Sequence, residues 1–218
     1  MASPEIELYP VLETLALIDG IIQNPYFHQQ RIAKVQEELY GNHPNLDKID
    51  ISKEVEHGFN SWIIHNPPPK PWRESITPKI KVRVLYGAHL GPIEFQWYHR
   101  PDYTNALILS VPPVDYHIKW ANRTWFNQVS KSVPKESYPL CCIVGLLTDG
   151  LSSNLVIYKN DTYLTPRTPL LKGTMREWLL SSKTLVEADL TPEDLYQAQE
   201  VMLINALNPL GTWTLPVL

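Results

Sequence analysis

The sequence predicts an α+β (mixed α/β) chain arranged as two lobes. Three observations predict this. Strand-length segments of apolar or alternating pattern recur along the whole chain. Segments with helical spacing are fewer and short, and twenty prolines stand where long helices would otherwise run. Pro112-Pro113 interrupts the chain near its middle, which puts the lobe boundary at residues 110–116. The lobes are then 1–111, the smaller, and 112–218. A chain of 218 residues is long enough to bury a core in each.

The elements follow in order. Residues 12–18 (LETLALI) are apolar and β-prone. Asp19-Gly20 then marks a hairpin turn leading into Ile21-Ile22. Within residues 25–39, Phe27, Ile32, Val35 and Leu39 recur at helical spacing, and Gly41-Asn42 ends that helix. Residues 66–72 (NPPPKPW) can be neither helix interior nor central strand and form a stiff connector. Residues 79–86 (KIKVRVLY) alternate as a half-buried strand, with residues 93–98 as the partner. Residues 106–111 are another strand, and 140–147 a single buried one. Residues 155–158 and 162–164 flank Asn160-Asp161, a hairpin turn. Residues 174–180 form a short helix opened by Gly173. Thr191-Pro192-Glu193 opens a last helical piece, with an N-cap threonine and proline in the first turn. Residues 200–205 are a terminal strand.

Composition narrows the function. A net charge of −4 with no basic stripe argues against binding to a nucleic-acid backbone. No apolar run approaches the roughly 20 residues of a membrane span, and the acidic start MASPEIELYP is not a secretory leader. Cys141 and Cys142 are adjacent in an apolar run, where strand geometry points them to opposite faces. They read as buried thiols of a reducing cytoplasm, and no ligand spacing suggests a metal.

The chemistry-bearing segments lie mostly in the second half. They are Thr148-Asp149-Gly150-Leu151-Ser152-Ser153-Asn154, between strands, and Gly173-Thr174-Met175-Arg176, at a helix start. Ile118-Lys119-Trp120-Ala121-Asn122 lies upstream, His28-Gln29-Gln30-Arg31 sits on the first helix, and Ile204-Asn205-Ala206 lies near the end. Together, and in their order along the chain, they resemble the class IV aminotransferase family, the fold-type IV pyridoxal 5′-phosphate enzymes. That family carries T-E-G-x-x-S-N, G-I-x-R, I-K-x-x-N, H-x-x-R and T-N-S segments. Each motif alone is weak, but five in order span nearly the whole chain.

The resemblance implies a two-lobed D-amino acid aminotransferase-like fold, with residues 112–218 as the cofactor-binding lobe. It implies that Lys119 holds the cofactor as a Schiff base and later moves the proton of the carbon bearing the amine. Its apolar neighbours Ile118 and Trp120 would desolvate the amine. By resemblance Asp149 faces the pyridine nitrogen, where an anion keeps the ring protonated. Most members have glutamate there, so the shorter aspartate asks the ring or loop to shift. Arg31, Gly173, Thr174 and Met175 are expected around the phosphate, the last three because a helix N-terminus favours anions. Ser153, Asn154 and Asn205 are further polar candidates, and Ala206 removes one hydroxyl that many members carry. His28 reads as structural. Arg83 and Arg123 are candidates for a substrate carboxylate.

The nearest resemblance is to short aminodeoxychorismate lyase-like members, which turn 4-amino-4-deoxychorismate into 4-aminobenzoate and pyruvate for folate synthesis. A D-amino acid or branched-chain transaminase is the alternative. A non-catalytic member that only binds a ligand is a third reading, motivated by Asp149, the missing hydroxyl and the short N-terminal strand segment. The family also implies a homodimer and a small-molecule amine substrate.

Overall fold

The structure is a computed structural model and describes residues 7–41, 43–68 and 78–217. The chain divides into two units. One is Met1–Arg100 with Ile118–Asn122; the other is Pro101–His117 with Arg123–Leu218. The break therefore comes at Arg100/Pro101, ahead of the Pro112-Pro113 pair, and five residues around Lys119 belong with the first unit instead of the second. Sequence composition marks where the chain bends, whereas backbone pairing decides where a segment belongs.

In the first unit, β1 (Val11–Ile18), β2 (Ile21–Ile22), β3 (Lys79–Tyr86) and β4 (Leu90–Trp97) form an antiparallel sheet in the order β2-β1-β3-β4. Asp19 and Gly20 close the first hairpin with φ of 51° and 77°, and Ile18 pairs with Ile21. Positive φ at both turn residues matches the twist of the flanking strands. Helix α1 (Pro25–Tyr40) buries Ile32 and Val35 and ends at Gly41, whose φ is 61°. Helix α2 (Ile51–His65) was not anticipated, although its signals are present. The Asp50 side chain accepts from the Lys53 amide as an N-cap, and Ile51, Val55, Phe59 and Trp62 recur at helical spacing. These helices pack on Leu15, Leu17, Val82 and Val84, and Ile118 joins the same core. The proline-rich connector extends beyond the described residues after Pro68.

In the second unit, the sheet order is β10-β9-β8-β7-β6-β5, with β11 pairing β8. The strands are β5 (Asn105–Ser110), β6 (Ser137–Ile143), β7 (Leu146–Gly150), β8 (Asn154–Lys159), β9 (Thr162–Pro166), β10 (Val186–Ala188) and β11 (Glu200–Ile204). The segment expected as one strand over 140–147 is a hairpin. Val144 and Gly145 turn it with φ of 49° and 80°, pairing Ile143 with Leu146. Asn160-Asp161 makes the anticipated turn between β8 and β9. Cys141 and Cys142 are buried, unpaired thiols of β6. Helix α3 (Thr124–Lys131), unanticipated, precedes β6. Helix α4 (Thr174–Ser181) starts after Gly173 as expected. Helix α5 (Pro192–Tyr196) starts in a complete capping box between Thr191 and Asp194. Leu147, Leu155, Ile157, Leu203 and Trp213 centre the core.

Candidate active site

In the first unit the candidate site is built on β1. Glu13 is completely buried in a strand with no other charged residue, a position that costs several kcal/mol unless the charge is met. It is met twice from α1. Arg31 grips it with one edge of the guanidinium, Nε to Oε2 at 3.1 Å and Nη2 to Oε1 at 2.5 Å, and His28 Nδ1 donates to Oε1 at 2.5 Å. The three-residue spacing of His28 and Arg31 puts both on the helix face that looks at β1. Burial pushes the Glu13 carboxyl up, but Arg31 and His28 together outweigh it and carry its pKa down to about 2. Burial lowers that of His28, so the buried imidazole stays neutral.

Lys119 lies half-buried beside this cluster. Its carbonyl accepts the Leu12 amide at 2.9 Å, Ala121 N–H donates to Pro10 O at 2.8 Å, and Trp120 bridges Val11. Residues 118–122 thus run as a short antiparallel neighbour of the start of β1. The Lys119 charge reaches His28 and helps hold its pKa down. The lysine and arginine expected to serve one cofactor are therefore held by consecutive residues at the start of β1, Pro10 to Leu12 for the Lys119 segment and Glu13 for Arg31. Glu13 went unassigned in the sequence, although a lone acid in the strand VLETLALI was the available signal.

In the second unit the site is the β7–β8 hairpin. Thr148, Asp149 and Gly150 end β7 and Asn154 opens β8, so the motif is a strand–turn–strand and not a loop between strands. Asp149 is buried and pairs with Asn154 across the hairpin. Its Oδ1 accepts from Asn154 Nδ2 at 2.8 Å and its Oδ2 from the Leu171 amide at 2.9 Å. Asn154 Nδ2 also donates to Leu171 O at 2.8 Å. Desolvation dominates these neutral donors and the more distant Arg176 charge, and pushes the Asp149 pKa up to about 7. A methyl group at Gly173 would collide with Asn154 Oδ1, so only glycine lets the start of α4 come this close to the hairpin. Thr174 and Met175 are buried in the first turn of α4, where amides lie outside the intrahelical ladder and favour an anion.

Other expected residues have other work. Arg176 is fully buried and ties α4 to the β9 and β10 strands, through Pro166 O at 2.9 Å and Glu187 at 2.6 Å. Asn205 donates to Ser152 O at 3.0 Å, and its Oδ1 accepts from the amides of Leu207 and Asn208, so it braces the hairpin turn. Arg83 is engaged in an ion pair with Glu94 across β3–β4, 2.7 Å apart and partly exposed, which does not favour a substrate role. Arg123 is likewise occupied. Nη1 donates to Tyr116 at 3.0 Å, Nη2 to Leu151 O at 2.5 Å, and the guanidinium lies 4.1 Å from the centre of the Phe126 ring. It holds the hairpin turn instead of facing open solvent.

This residue set fits pyridoxal phosphate. A buried acid whose hydrogen-bond partners among the described residues are neutral would suit a protonated ring nitrogen. A glycine-opened helix start suits a phosphate, and a half-buried lysine lies near an anchored arginine. Among the described residues no cluster of side chains is suited to a metal ion. The family model described as amino-transferase class IV matches residues 10–212, and the chain belongs to that family. It is a pyridoxal-phosphate-dependent enzyme of mixed α/β, fold-type IV architecture. An uncharacterized protein of Haemophilus influenzae is 29% identical over 203 residues, 93% of this chain and all of that one. The crystal structure of a proposed 4-amino-4-deoxychorismate lyase from Haemophilus somnus 129pt is 28% identical, with a TM-score of 0.79, covering 93% of this chain and 98% of that one. A hypothetical aminotransferase from Mycobacterium tuberculosis in its PLP-bound form shares the fold at 17% identity, with a TM-score of 0.74, covering 100% of this chain and 85% of that one.

Proposed function

We propose that the protein is a lyase that converts 4-amino-4-deoxychorismate into 4-aminobenzoate and pyruvate. The observation that carries this reading is the match to the Haemophilus somnus protein, which covers almost all of both chains. Pyridoxal phosphate, when bound, supplies an electron sink for the carbon bearing the substrate's amine. Lys119 is the residue proposed to hold it and then, once its amine is released, to take the proton from that carbon. Asp149 is proposed to face the ring nitrogen, whose positive charge would supply the counter-ion that Asn154 and Leu171 cannot. Arg31, Gly173, Thr174 and Met175 are proposed for the phosphate, with Ser153 and Asn154 nearby. Glu13 supports Arg31 from behind, and Asn205 supports the hairpin turn.

The family description favours a second reading, transamination, which uses the same lysine and returns the proton to the cofactor. The reading also takes the protein to be a homodimer of the cytoplasm acting on a small-molecule amine, and the two unpaired cysteines support that compartment. The test has two stages. Purified protein should be yellow, borohydride should abolish the colour and leave the cofactor's mass on Lys119, and K119A should carry none. Pyruvate released from aminodeoxychorismate without any added keto acid supports the lyase. Turnover only with a keto acid supports the transaminase. A colourless protein that turns over nothing leaves only a non-catalytic ligand-binding role.

A further inference from the structure

Tyr138, on β6, has no part in the reading above, yet it is the centre of the hairpin turn that follows Asp149. Its side chain is fully buried, edge-on to Tyr103 and Trp213 with ring centroids 5.1 and 5.2 Å away. Gly150 lies directly on the ring, where any side chain would collide with it. The phenol oxygen accepts the Ser152 amide at 2.9 Å and sits 2.7 Å from Ser153 Oγ. The same turn is held by Arg123 at the Leu151 carbonyl and by Asn205 at the Ser152 carbonyl, while Gly150 N–H donates to Ser153 O at 3.0 Å. Three side chains from separate parts of the second unit thus fix three consecutive residues.

Hydrogen-bond counting gives this clamp a direction. The Tyr138 hydroxyl has one proton. One of its lone pairs is taken by the Ser152 amide. Burial pushes its pKa up to about 12, so the proton stays on the phenol. A buried hydroxyl that donates to nothing is costly. The hydroxyls of Ser152 and Ser153 both reach the phenol, but Ser152 is exposed to water, and the buried Ser153 Oγ at 2.7 Å is the acceptor within hydrogen-bond geometry among the described residues. The phenol therefore donates and Ser153 accepts. Ser153 keeps its own proton, is itself 7% exposed, and has no other partner among the described residues. A nearly buried donor left over in this way needs an acceptor from outside the protein.

We infer that Tyr138 is a positioning residue which aims the Ser153 hydroxyl proton at an anionic oxygen of the bound ligand, the cofactor's phosphate or a substrate carboxylate. This rests on the proposed cofactor site and deepens it. Protein stripped of cofactor is titrated with pyridoxal phosphate and with pyridoxal, which lacks the phosphate. The proteins compared are wild type, Y138F, S153A and the double variant. Reconstituted protein is then assayed for KM and kcat. Y138F and S153A should each weaken the same step by roughly tenfold, the size of one hydrogen bond to a charged group, and the double variant should be no worse than S153A. A loss for pyridoxal phosphate but not pyridoxal assigns the phosphate. A raised KM with unchanged cofactor affinity assigns the carboxylate. A purely structural tyrosine would lower the melting temperature and leave the ratio of the two affinities and KM alone, which overturns the inference. Losses that add in the double variant also overturn it. If Y138F does not fold, S153A decides, and wild-type behaviour in S153A is fatal. Wild-type protein that binds no pyridoxal phosphate overturns the cofactor reading as well, so the two failures are told apart.

Discussion

Two buried carboxylates set opposite pH responses, and each can be read alone. Glu13 has its pKa depressed from 4.5 to about 2 because Arg31 and His28 favour its ionised form over the cost of burial. Its contribution is present above the unfolded value and is lost as pH falls from about 4.5 to about 2, some 3 kcal/mol by linkage. E13Q should remove this acid limb. It should also cost about 3–5 kcal/mol at neutral pH, because Arg31 is left without its buried counter-charge; urea denaturation at pH 7 and pH 3 checks both. Asp149 behaves in reverse. Its pKa is raised from 3.8 to about 7 by desolvation, so the folded cofactor-free protein holds a proton that the unfolded chain releases. Stability should fall, by up to about 4 kcal/mol, as pH rises from 4 to 7. D149N should flatten that slope, and pyridoxal phosphate should flatten it too if its ring nitrogen neutralises Asp149. A slope that survives in D149N would show that some other group titrates there. Asp149 was legible in the sequence as a motif position. The partners that tune it, Asn154 and the Leu171 amide, were not, because a backbone amide seventeen residues beyond Asn154 leaves no trace in composition.

At the scale of elements, legibility followed the turn chemistry. Asp19-Gly20 and Asn160-Asp161 were readable as hairpins because asparagine, aspartate and glycine tolerate positive φ. Val144-Gly145 has the same geometry and was missed, since a β-branched residue at φ of 49° is rare and signals a continuing strand. The two strands it joins, β6 and β7, therefore merged into one in the sequence. The helices α2 and α3 escaped for a different reason: their apolar residues follow polar caps without a proline or glycine boundary on the N-terminal side. The Val144 turn carries a direct prediction. The side chain is 87% exposed, so it gains nothing from burial to offset the left-handed backbone. V144N should stabilise the protein by about 1 kcal/mol, seen as a higher denaturation midpoint at unchanged slope. A neutral or destabilising result would mean that the turn relaxes around valine at little cost.

Across the whole molecule, the chain passes between its two units more than once: after Arg100, and on either side of the 118–122 segment. That short return carries Lys119. Its backbone partners, Leu12 and Pro10, and its core neighbours around Ile118 all lie in the first unit, whereas Asp149 and the start of α4 are built from second-unit strands. The lysine proposed to hold the cofactor is thus tethered by a segment too short to be stable alone and takes its rigidity from β1. Native-state hydrogen exchange tests this. The amides of Ala121 and Leu12, which bond to Pro10 and Lys119 respectively, should open with one shared free energy, that of the first-unit sheet. E13Q loosens the contact between β1 and α1, so it should speed exchange at both amides together and leave those of Leu155 and Leu203 in the second sheet less affected. If Ala121 instead exchanges with the amides of β6, the lysine segment takes its order from the second unit, and the support that Glu13 gives to Arg31 does not extend to Lys119. If it exchanges fast in the wild type, the lysine is ordered only when its cofactor arrives, and the measured affinity for pyridoxal phosphate must include that ordering cost.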